Sequence, residues 1–173
     1  MNRPLHRILA AVVLSLTLVS VAQAPISPDT EMSILASSDD VAAYINAAQS
    51  EVLVSAYMLR VQSVAESLRR AVVERGVHVY ILTTEAGLHE NASYAKSLAL
   101  AGAHVRSGYA NADLLIVDRY YSVNGPLVGA LISPEGMEPT FAFTGQDYAN
   151  SLVTLYLEQF NASTPYDPRE FHQ

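Results

Sequence analysis

Twice in this chain an amphipathic helical stretch runs into a glycine and then into an apolar run. Residues 62–74 place Val64, Leu68, Ala71 and Val72 on one face, close at Arg75-Gly76, and lead into the apolar stretch 77–83. Residues 91–101 repeat the pattern, with Gly102 closing the helix before a short strand at 103–106. A glycine at a helix end supplies the left-handed conformation that such ends favour. Unbroken apolar runs suit strands covered on both faces. Helices alternating with strands of that kind imply a layered α/β fold with a largely buried sheet.

The remaining segments fit the same scheme. Residues 32–35 are expected as a first strand. Ser38, followed by Asp39 and Asp40, is expected to open a helix, because capping hydroxyls and acids suit its positive end. Val41, Tyr44, Ile45 and Ala48 then recur at helical spacing. Residues 51–59, 114–117, 120–123 and 140–144 are expected as strands, the second and third joined as a hairpin. Residues 147–160 form a last amphipathic helix. The stretch 125–139 holds three glycines and three prolines and gives no regular period.

The two ends of the chain are expected to lie outside this domain. Arg3, His6 and Arg7 precede an apolar run at 8–19, and small residues follow. That order is an export signal, with cleavage expected after Ala22 (Ala24 is the other candidate). A retained anchor is the competing reading, but the run is shorter than the roughly 20 residues that cross a ~30 Å bilayer. Residues 23–31 read as a linker, 32–160 as the domain, and 161–173 as a polar, frayed tail. The chain is thereby placed as periplasmic or secreted.

Charge narrows the partners. The chain has 10 basic and 17 acidic residues, a net charge of −7, and a single lysine, Lys96. Nucleic-acid binding draws on several cations set against phosphates, so neither DNA nor an anionic membrane is an expected partner. No cysteine is present, so an exported domain must be held by its core alone. His89 with Glu90, or Asp113 with Asp118, falls short of the three or four ligands of a metal site. Neither a metal nor a cofactor is expected. Asn91-Ala92-Ser93 and Asn161-Ala162-Ser163 fit the glycosylation acceptor pattern, which has no weight without knowledge of the cell.

The chemistry turns on Asn111-Ala112-Asp113, then Asp118, then Gly125. These positions keep the spacing of the motif His-x-Lys-x4-Asp, six residues, Gly-Ser-x-Asn. Residues 52–57, Arg75-Gly76-Val77, residues 102–106 and the strand before Asp118 follow in matching order, and residues 156–160 match a closing helix. Over residues 33–160 the chain therefore resembles the single-motif branch of the phospholipase D superfamily. The resemblance implies an α/β/α sandwich around a mixed, mostly parallel β-sheet. It also implies pairing, as a homodimer or with an active relative, so that two motifs build one site.

In that family one histidine attacks phosphorus, a second protonates the leaving oxygen, and lysines hold the phosphate charge. Here asparagine stands at the histidine position and aspartate at the lysine position, while Pro126 and Val128 replace the serine and second asparagine. An amide neither titrates nor attacks, so the nucleophile and acid are missing. A charge at 4 Å is worth about 1 kcal/mol in water and about 4 at an effective dielectric near 20. Reversing its sign costs roughly twice that. No residue is expected to be catalytic, and the expected role is a binding or scaffold protein. The alternative is a phosphodiesterase, of phospholipase D or nuclease type, active alone or with an intact-motif partner.

Asp118 is expected to cap the turn after its strand. Tyr57 and His104 are candidate rim residues of the pocket. His104-Val105-Arg106 followed by Asn111 mimics the motif, but it would put the nucleophile on the preceding strand and spoil the glycine spacing.

Overall fold

A serine opens the first helix, one residue earlier than expected. The computed structural model describes residues 29–110, 112–129 and 138–169. In it α1 (Ser38–Ala47) begins with a capping box at Ser37 rather than Ser38: the Ser37 hydroxyl accepts the Asp40 amide, and the Asp40 carboxylate accepts the Ser37 amide. Those bonds occupy donors that the first helical turn leaves without partners. Helix α2 (Gln62–Arg75) ends at Gly76 with φ +67°, as the sequence leads one to expect. A one-turn helix, α3 (Glu85–His89), is too short to show a period. Helix α4 (Ala95–Ala101) starts later than expected and ends at Gly102, φ +108°.

Among the described residues the eight strands are β1 (Glu31–Leu35), β2 (Glu51–Ala56), β3 (His78–Thr83), β4 (His104–Ser107), β5 (Leu114–Val117), β6 (Tyr121–Asn124), β7 (Thr140–Thr144) and β8 (Thr164–Pro165). They form one sheet in the order β1-β7-β6-β5-β2-β3-β4-β8. The sheet is mixed, as expected, but the expectation of mostly parallel pairing needs correction. Only β2–β3 and β3–β4 are parallel, and the other five pairings are antiparallel. The reason is connection length. β5 turns directly into β6 through Asp118–Tyr120 with no helix between them, and short returns can only be antiparallel. Apolar runs report burial, not direction.

Alternation along β2 builds both cores. Val52, Val54 and Ala56 join Val41, Ile45, Val64, Leu68 and Leu98 of α1, α2 and α4. Leu53 joins Ala149, Val153, Tyr156 and Phe160 of the last helix, α5 (Gln146–Ala162). Each fully buried leucine contributes about 1.5–3 kcal/mol. Helices therefore cover both faces, and the sandwich is α/β/α. Among the described residues no helix is long and apolar enough to cross a membrane. Residues 1–22, the expected export signal, lie outside the described residues.

The expected frayed tail is also corrected. Asn161 and Ala162 complete α5, and β8 adds to the edge of β4. Arg106 causes this. Its guanidinium donates to the carbonyls of Phe160, Asn161 and Ser163 and lies 5.0 Å from the centre of the Phe160 ring. That clamp holds the end of α5 beside β4, and the Tyr166 amide then reaches the Val105 carbonyl at 3.0 Å. The arginine of the motif-like His104-Val105-Arg106 is a helix clamp.

Candidate functional site

Strand β5 carries the motif residues to opposite ends of the sheet. Ser55 pairs with Leu114 and Val52 with Val117. Asp113 thus lies beside the carboxyl ends of β2 and β3, where open α/β sheets place their ligands. Asp118 lies past the other end, roughly 16 Å away for five extended residues. The two carboxylates cannot share a metal ion. Among the described residues no cluster of three metal-ligating side chains occurs.

At the carboxyl end, the chain after β6 folds down onto Asp113. The Gly125 amide donates to the Asp113 carbonyl at 2.9 Å. Gly125 has φ +136°, and a Cβ there would meet the Thr140 Cα at 2.7 Å, so both conformation and space require glycine. The Thr140 hydroxyl accepts the Leu127 amide at 3.2 Å. Gly129 is tighter than Gly125. A Cβ on it would lie 2.5 Å from the Ala56 Cβ, 2.9 Å from the Met58 carbonyl and 3.1 Å from Asp113 Oδ1. The Asp113 carboxylate is therefore packed against this loop at the sheet's mouth. Val128, expected to stand in place of a polar phosphate-supporting residue, is fully buried in the main core. Pro126 beside it is half-buried. Asn111 lies outside the described residues.

Two residues that sequence reasoning passed over frame this mouth. Arg60, four residues past β2, donates its amide to the Gly129 carbonyl at 3.0 Å, and its guanidinium lies 3.6 Å from Glu90. Gly129 is the second. A cation just beyond a buried strand was the available signal for Arg60. Gly129 gave none, since its role comes from packing across the fold. Tyr57 stands at the same end, as expected, with its ring about half exposed. Its carbonyl accepts the hydroxyls of Thr83 and Thr84 at 3.0 and 3.1 Å. His89 bonds Glu85 at 2.9 Å rather than acting with Glu90.

His104 does not belong to the rim. It pairs with Tyr80, which pairs with Leu53 and so stands level with Ile116. That is three rungs, about 10 Å, below the level of Asp113. Its ring stacks on Tyr80 at 5.0 Å. Strand register places it there, and register is not readable from a motif-like spacing.

The opposite end of β5 is a structural knot. The Asp118 carboxylate accepts four hydrogen bonds, from the amides of Gln49, Ser50 and Glu51 and the hydroxyl of Ser50, at 2.8–3.0 Å. Its own amide donates to the Glu51 carbonyl. Asp118 and Arg119 both adopt positive φ, +50° and +54°. Arg119 Nε lies 2.6 Å from Glu51 Oε1 and holds that turn from outside. Burial disfavours the Asp118 carboxylate, but the bonds from Glu51, Gln49 and Ser50 outweigh it and hold its pKa below the ordinary aspartate value.

A family model described as the transcriptional regulator TrmB, EBD N-terminal subdomain, matches residues 33–164. Among solved structures, the fold is similar to Nuc from Salmonella typhimurium, a phospholipase D family member. Identity is 19% and the TM-score 0.70, over 80% of this chain and 99% of that one. NucT from Helicobacter pylori is similar at 13% identity and TM-score 0.62, over 79% and 98%. TrmBL2, an archaeal chromatin protein described with a novel mode of DNA binding, is similar at 16% identity and TM-score 0.61, over 82% of this chain and 57% of that one. No curated protein matches the chain. At such identities these likenesses show a phospholipase D-like fold, and fold alone does not fix activity.

Proposed function

The chain belongs to the family of the transcriptional regulator TrmB, EBD N-terminal subdomain, and on that premise we propose that it is a non-catalytic binding domain built on a phospholipase D-like fold. The observation that carries this reading is Asp113. A carboxylate stands at the sheet mouth where the family resemblance calls for a cation, packed against the Gly125–Gly129 loop. It repels a phosphate ligand instead of holding it. The ligand class is therefore a molecule other than a phosphate anion. Membership in a regulator's subdomain family supports binding over hydrolysis, and the solved phospholipase D relatives support only the scaffold.

We also propose export, on the basic start and short apolar run of residues 1–22. An exported domain does not meet a promoter, so ligand binding or scaffolding is the property left to it. The DNA binding described for TrmBL2 is that protein's own. A net charge of −7 gives this chain no long-range attraction for a nucleic-acid backbone.

The test is thermal unfolding with inorganic phosphate and with diphenyl phosphate at millimolar concentrations. The wild-type midpoint should not rise with either, and Asp113→Lys should gain a rise of a few degrees. A wild-type protein stabilised by phosphate, with Asp113→Lys adding nothing, would overturn the reading.

A further inference from the structure

The sheet has two edges of opposite character. Strand β8 is two residues long and contains Pro165, which has no amide to offer. Strand β1 has five residues, Glu31 to Leu35, with no proline, lysine or arginine, and pairs with β7 without a bulge. Edge strands of soluble proteins are normally blunted by such residues, because their unpaired amides and carbonyls template further pairing. Among the described residues β1 has one such guard, the charge of Glu31 at its start.

It also carries an apolar stripe. Met32 and Ile34 are 61% and 67% exposed. Across the strand on the same face stand Phe143 and Phe141, and Tyr148 packs on Phe143 at 4.8 Å between ring centres. The buried side chains of α5 cover this face farther in, over Leu53, Leu82 and Ile116. Single exposed apolar residues are ordinary. A contiguous stripe beside an open edge marks an interaction surface.

We propose that β1 pairs with β1 of a second copy, antiparallel about a twofold axis at Ser33, joining two sheets into one. The strand is self-complementary in that register. Met32 meets the partner's Ile34, Ser33 meets the partner's Ser33, and Glu31 meets the partner's Leu35. The single charge thus faces a leucine and not its own copy, avoiding the like-charge opposition that destabilises cross-strand pairs. Such a contact is isologous and closes at two copies. β1 lies four strands from β2, about 19 Å, so both clefts stay open and separate. This inference does not rest on the ligand reading above. Two acidic copies repel, so pairing should strengthen as salt screens their charge.

Cysteine cross-linking of the full chain tests it, because the chain has no cysteine of its own. Directly opposed residues of an antiparallel pair have Cα atoms about 4.5–5.5 Å apart, within disulfide reach. Under mild oxidation, Ser33→Cys should form a covalent dimer at least tenfold faster than Thr164→Cys on the blunt edge. Adding Ile34→Lys to Ser33→Cys should remove that advantage. By sedimentation, the wild type should be a dimer that tightens with salt, and Ile34→Lys a monomer with unchanged circular dichroism. A monomeric wild type whose Ser33→Cys links no faster than Thr164→Cys would overturn it, as when the segment before Asp29 covers the stripe. So would a dimer that survives Ile34→Lys, which would place the contact elsewhere, for example at the cleft.

Discussion

The two ends of strand β5 have diverged in opposite senses. At Asp118 one carboxylate ties the β5–β6 turn to the start of β2 through four hydrogen bonds. At Asp113, five residues earlier, the carboxylate packs against the Gly125–Gly129 loop, and in the reading proposed above it stands where a phosphodiesterase would hold a phosphate with a cation. One end needs its residue for folding. The other is shaped by a loop that Gly125 and Gly129 set, and in the proposed reading that loop surrounds changed chemistry. On that proposal a motif splits into a part that the fold retains and a part that only a reaction retains.

The contrast breaks most directly at Asp118. Asp118→Ala leaves four donors without their partner and should cost about 3 kcal/mol, since bonds to charged groups are worth roughly 1.5–3 each but are partly replaced by water. Urea unfolding checks this, and a loss below about 1 kcal/mol would mean the knot is ornamental. Gly125→Ala, which drives a Cβ into the Thr140 backbone at positive φ, should cost on the order of 1–3 kcal/mol, as overpacking does.

Acid sharpens the same point. The Asp118 pKa is lowered in the folded state, so its contribution is fully present above the unfolded aspartate value and is lost as pH falls through the folded one. Stability of the wild type should therefore drop below about pH 4, and Asp118→Asn should lack that component of the drop. Equal slopes for the two proteins would contradict the hydrogen-bond account. Arg119→Ala, which removes a half-exposed ion pair with Glu51, should cost less than about 1 kcal/mol.

Much of this architecture was legible because burial leaves a periodic trace. Strands β5 and β7 lie where their apolar runs end, and Gly76 and Gly102 close the helices they were expected to close. Strand direction was not legible, because an apolar run looks the same in parallel and antiparallel company. Strand β8 was missed because Thr164-Pro165 is polar and docks by pairing with β4 beside the Arg106 clamp, all tertiary contacts. At the site, spacing named Asp113, Asp118 and Gly125 but not their places: Gly125 bonds Asp113 at one end of β5, and Asp118 lies past the other. It misjudged His104, whose place depends on register, and Val128, which looked like a lost polar group and is a core residue. Restoring asparagine there would bury an amide, a cost of about 1–3 kcal/mol in proteins. On the proposed alignment, building the motif into this chain therefore needs a different loop as well as different side chains.

The central claim is that the cleft no longer performs phosphodiester chemistry. It is tested most directly by the turnover of bis(p-nitrophenyl) phosphate by the purified full chain across pH 5–9. Release of p-nitrophenol should equal that of buffer alone at every pH. Turnover above buffer that Asn111→Ala and Asp113→Ala each abolish would contradict the claim.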